Sequence, residues 1–98
     1  MILTLHDQTT IQVSSYNMNY GAARDGEDAT PRLQGTLEIS EALSMRQMIQ
    51  RITAANLEGA TLTVEEGVDM PLEATGVESL FLTITAGKIQ RTAILTME

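Results

Sequence analysis

The side chains best suited to moving a proton are His6, the single histidine, and its neighbour Asp7, followed by the carboxylates Glu65, Glu66, Asp69, Glu73 and Glu78. Imidazole is the one side chain that ordinarily titrates near neutrality. Catalysis by His6 would need a nucleophile or a second acid within hydrogen-bond reach, and no spacing rule ties a serine to the His6-Asp7 pair. The pair therefore reads as part of a surface turn. The five carboxylates could oppose one another across strands, as glycosidase acids do. A sugar cleft, however, wants aromatic platforms, and the aromatic side chains here are Tyr16, Tyr20 and Phe81 alone. Asp25-Gly26-Glu27-Asp28 resembles the middle of a calcium loop, but counting Asp25 or either neighbour as its first position puts no glutamate at the twelfth. With no cysteine there is no thiolate nucleophile, no disulfide and no Cys-type metal site. Phosphate-loop, zinc-protease, nucleophile-elbow and dinucleotide motifs are missing from the sequence. The expectation is a protein that is not an enzyme, with no catalytic, cofactor-binding or metal-ligating residue and no cofactor.

The acids are more telling as a group. Thirteen acids against six bases give a net charge of −7, and no Lys or Arg occurs between Ile52 and Gly87, where Glu58, Glu65, Glu66, Asp69, Glu73 and Glu78 all fall. Such a field repels nucleic acid and anionic lipid, so neither is expected as a direct partner. It suits a basic protein, and Glu65, Glu66, Asp69, Glu73 and Glu78 form the candidate partner surface. The alternative is a solvated acidic surface that keeps a small protein dispersed. The opening MILTLHDQ lacks the basic start and apolar run of a signal peptide. No run approaches the roughly 18 to 20 apolar residues of a spanning helix.

Ninety-eight residues make a single domain, 1–98. Ile2-Leu3-Thr4-Leu5 and Thr10 to Tyr16 alternate as strands around a turn at His6–Thr9, which Asp7 suits by bonding the backbone ahead of it. The apolar set then moves to Tyr16, Met18 and Tyr20, the mark of a bulge near Ser14-Ser15. Residues 21–31 hold two glycines, a proline and mixed charges with nothing to bury, and are expected to form a mobile loop. Arg32 to Ile39 is a strand in which Gly35 marks either a bulge or a close approach. Ser44 and Gln47 have capping-box spacing ahead of Met45, Met48, Ile49 and Ile52, which predicts one short helix with a single apolar stripe that ends by Asn56–Gly59. Two further strands follow at Ala60–Glu65 and Asp69–Ala74, the latter confined to an edge by Pro71. In the closing hairpin, Val77 to Met97, Leu80, Leu82 and Ile84 are expected to lie against Ala93, Leu95 and Met97 and to be covered by the helix. The fold class is α+β: a mostly antiparallel β-sheet, or a small β-sandwich, with one short helix packed on it.

This layout resembles small proteins encoded in the structural-gene region of phages and prophages of Gram-positive bacteria. The residues that carry the likeness are ILTL at 2–5, Asp7-Gln8-Thr9, TIQV at 10–13, TLEI at 36–39, SMRQMIQRI at 44–52, TLTV at 61–64 and TAILTM at 92–97. Gln8 stands where that group has glycine. The resemblance implies a viral structural or assembly protein that works by protein–protein contact, with itself as a homo-oligomer or with a tail or head component. It places the chain in the host cytoplasm during assembly, with the virion as a further location. A competing expectation comes from charge alone: an acidic inhibitor that occupies a basic groove of a host defence or nucleic-acid-binding protein.

Overall fold

The computed structural model describes residues 1–21 and 32–97. The loop expected over 21–31 falls, from residue 22 onward, outside the described residues. Alternating stretches become strands β1 (Ile2–Thr4), β2 (Thr10–Gly21), β3 (Arg32–Ile39), β4 (Thr61–Glu65), β5 (Val68–Pro71), β6 (Ala74–Thr85) and β7 (Lys88–Met97). The periodic stretch becomes two helices, α1 (Met45–Arg51) and α2 (Ala54–Leu57). All strands join one antiparallel sheet in the order β5-β4-β1-β2-β3-β7-β6.

Strands β5 and β6 stand at opposite ends of that order, yet only Leu72 and Glu73 separate them in the chain. Three Cα–Cα steps span at most about 11 Å, so the two edges meet at this corner and the sheet is curled on itself. A bulge at Ser14 helps the curl, because the β2 register shifts between Val13 and Ser15. The early part of β2 pairs with β1, and its later part pairs with β3. Inside the curl, Leu3, Ile11, Leu37, Leu62 and Leu95 are fully buried, together with Met48 and Leu57 from the helices. Gly35 resolves as a close approach rather than a bulge: a Cβ there would lie 2.9 Å from the Tyr16 ring and 3.0 Å from Met97 Sδ.

The capping box forms as its spacing predicts, with Ser44 Oγ accepting from the Gln47 amide at 3.1 Å and the Ser44 amide donating to Gln47 Oε1 at 2.8 Å. Two helical features differ from expectation. The helix breaks at Ile52 and restarts, because the Thr53 hydroxyl accepts the Asn56 amide at 3.2 Å and caps a second turn, α2. The stripe is also narrower, since Met48 and Ile52 are buried but Ile49 is 57% exposed. One residue on from Met48 is about 100° around the helix, enough to carry Ile49 off a face only one side chain wide.

The closing hairpin departs from expectation too. Ala86 and Gly87 alone make its turn, with φ of 53° and 78°, the left-handed pair of a type I′ turn. That turn sets Thr85 opposite Lys88, and so Leu80 faces Ala93, Leu82 faces Arg91 and Ile84 faces Ile89. Leu95 and Met97 instead face Val77 and Ala74. The face expected to be covered is therefore covered only in part: Ala93, Leu95 and Met97 are in the core with Leu80 packed against them, whereas Leu82 and Ile84 lie beyond it in solvent. Among the described residues no helix is long and apolar enough to cross a membrane.

Candidate interaction surfaces

His6 and Asp7 are placed together, but as a staple. His6 Nδ1 lies 3.1 Å from the Glu58 carbonyl oxygen, and the Asp7 amide donates to Asn56 Oδ1 at 3.1 Å. Asp7 Oδ1 accepts from the Thr9 hydroxyl at 2.6 Å and from the Thr9 amide at 3.0 Å. The Thr9 hydroxyl is the main reason the Asp7 carboxyl titrates below its ordinary value. These bonds tie the β1–β2 turn to α2 and engage both groups structurally. Among the described residues no three His, Asp or Glu side chains converge on a point that could hold a metal ion. Asp25, Glu27 and Asp28, the calcium-like segment, lie outside the described residues.

The acidic candidates are only partly brought together. Glu65, Glu66 and Asp69 share the exposed β4–β5 hairpin, where Thr63 Oγ1 donates to Asp69 Oδ1. Glu65 and Glu66 also line an open depression of about 490 Å³, together with Met1, Ile2, Thr63 and Val64. Glu73 sits at the far end of β5 with φ 57°, and Glu78 lies on β6, the opposite edge, where Gln34 Nε2 donates to it. Three of the five carboxylates therefore share one hairpin, while Glu73 and Glu78 lie on other segments.

The two edges of the sheet contrast sharply. The β5 edge is four residues long, contains Pro71, follows a register irregularity after Thr63 and carries Asp69. Short length, proline, irregular pairing and charge are the usual defences of an edge strand against further pairing. The β6 edge is twelve residues long, and its irregularities both lie near its start, between Ala74 and Gly76 and between Val77 and Ser79. From Ser79 to Thr85 it is regular, with neither charge nor proline.

Past Leu80 the β6–β7 hairpin leaves the core. Phe81 to Gln90 are all exposed, including Leu82 at 39%, Ile84 at 75% and Ile89 at 49%. This arm went unnoticed in the sequence because its alternation suggests a buried face. Length was the available signal. A twelve-residue strand spans roughly 40 Å, whereas β1, β4 and β5 hold three to five residues each and cannot cover it. The longest dimension of the molecule is 40 Å.

Compared with protein-family models, curated proteins and solved structures, the chain matches none of them.

Proposed function

We propose that this protein is a non-enzymatic protein–protein interaction module, a virion-associated or assembly component of a phage or prophage. The observation that carries the interaction reading is the exposed arm, Phe81 to Gln90, whose apolar side chains and unprotected strand edge are what a docking strand presents. The phage assignment rests on the sequence resemblance. The sandwich form expected from the sequence enters here as a finer reading, in which the two halves of the curled sheet face each other across Met48, Ile52 and Leu57. Light scattering at low and high protein concentration, with pull-down against purified phage head and tail proteins, tests the function. Association in either assay supports it, and a strict monomer that binds none of them overturns it.

A second reading, the acidic inhibitor of a basic groove, is favoured by the Glu65, Glu66 and Asp69 cluster on an exposed hairpin. Its binding to a cationic protein should weaken steeply with salt and be lost when these three are changed together to Gln, Gln and Asn. Binding unaffected by both removes it.

A further inference from the structure

Backbone chemistry fixes which groups of the arm are open. In a two-residue hairpin the residues flanking the turn exchange backbone hydrogen bonds, so Thr85 and Lys88 form a bonded pair. Antiparallel pairs alternate, which makes Thr83–Gln90 and Phe81–Thr92 bonded pairs as well. The amides and carbonyls of Leu80, Leu82 and Ile84 therefore point away from β7, toward the free side of the sheet. Among the described residues no backbone group of another element bonds to them.

We infer that this edge pairs with the same edge of a second copy, β6 against β6 in antiparallel sense, with the two-fold axis at Leu82. This deepens, and rests on, the interaction reading by naming partner and register. In that register Leu80 of one copy exchanges backbone bonds with Ile84 of the other, and Leu82 does so with Leu82. Every outward group is then matched to an outward group. The same pairing sets Leu80, Leu82 and Ile84 of both copies side by side on one face, and Phe81 beside Thr83 on the other.

Charge favours this occupant. The body is strongly acidic, yet from Ser79 to Gln90 the one charge is Lys88, so two arms approach without the repulsion that two bodies would meet. In this register Thr85 lies opposite Ser79, which brings Lys88 of each copy level with the base of the other arm, two strands away. Symmetry favours it as well. A two-fold pairing uses up both unprotected edges at once and leaves only the guarded β5 edges outside, so the assembly closes as a dimer instead of growing into a fibre. Seven paired residues a side, Ser79 to Thr85, fall short of the roughly 1,200 Å² that a stable interface buries, so the dimer is weak and its population rises with concentration.

The test uses the whole chain, which contains no native cysteine. Sedimentation over a wide concentration range should show wild type moving from monomer toward dimer. Leu82→Lys and Ile84→Lys, both at exposed positions, should weaken dimerisation by roughly tenfold or more while each keeps the wild-type circular dichroism spectrum. If Leu82→Lys fails to fold, Ile84→Lys, at a site 75% exposed, still decides. Register is read by mild oxidation. Leu82→Cys puts two thiols on Cα atoms about 5.5 Å apart and should cross-link, whereas Ile84→Cys leaves them offset by roughly 13 Å and should not. A wild type that stays monomeric throughout, a dimer indifferent to both lysines, or cross-linking through Ile84→Cys as readily as through Leu82→Cys overturns the inference. A monomer that still binds a phage structural protein refutes the dimer and leaves the interaction reading standing, whereas a monomer that binds none refutes both.

Discussion

Gln8 holds a backbone position that a side chain resists. Its φ is 72°, and the left-handed region costs a residue with a Cβ about 1–2 kcal/mol. Glycine relieves that strain but adds freedom to the unfolded chain that partly offsets the gain. Gln8→Gly is therefore expected to stabilise the protein by roughly 0.5–1 kcal/mol, seen as a higher urea midpoint. A lower midpoint would mean that the Gln8 side-chain amide, 3.4 Å from the His6 carbonyl, contributes more to the turn than its backbone strain removes. Tyr16 supplies a second residue-level test. Its ring lies over Gly35 with the phenol oxygen 4.0 Å from Met97 Sδ, and burial pushes the phenol above its ordinary pKa. The unfolded chain then loses this proton first, so below about pH 10 the contribution to stability is fully present, and it is lost as pH rises through the folded value. Thermal melts of wild type and Tyr16→Phe should keep a constant gap up to about pH 10 and diverge beyond it, with wild type losing more. A constant gap at every pH would contradict the burial of the phenol.

Among the elements, α1 separates what local rules decide from what packing decides. The capping box was legible because Ser44 and Gln47 satisfy each other's backbone amides within one turn, and that needs no knowledge of the rest of the fold. Which apolar residues turn inward was not legible, since the sheet beneath α1 takes Met48 and Ile52 and leaves Ile49 in solvent. Met48→Ala should accordingly cost roughly 2–4 kcal/mol, the range for emptying a buried site. Ile49→Ala should stay within about 0.5 kcal/mol, as exposed substitutions do. Chemical denaturation of the two variants checks both figures, and a larger loss for Ile49→Ala would place the stripe the other way round. The β6–β7 hairpin was read correctly as a hairpin and as covered along Leu80, Ala93, Leu95 and Met97, but wrongly as covered at Leu82 and Ile84. Periodicity reports which side chains share a face, whereas coverage depends on strand lengths elsewhere in the sheet. Its register followed from one hidden fact, that Ala86 takes the left-handed conformation and shortens the turn to two residues.

At the scale of the molecule, antiparallel β structure with helical cover was evident from alternation, turn residues and the cap. Strand order was not, because the pairing of β1 with β4 joins Ile2 to Thr63, and nothing local in either segment names the other. The acidic interval illustrates the same limit: residues adjacent in composition are distributed by the curl to both edges of the sheet, and only the β4–β5 hairpin keeps three together. The corner at Leu72 and Glu73 has a practical outcome. Because both sheet edges meet there, opening the peptide bond between these residues interrupts no strand and divides the chain into a piece holding β1 to β5 with both helices and a piece that is the β6–β7 hairpin. The two share the β3–β7 ladder and the burial of Ala93, Leu95 and Met97, so the protein is a natural pair of complementing fragments. Residues 1–72 and 73–98, produced separately and mixed, should recover a cooperative melt that neither shows alone. Failure to reassemble would mean that the two-residue tether, and not the ladder, holds the hairpin in place.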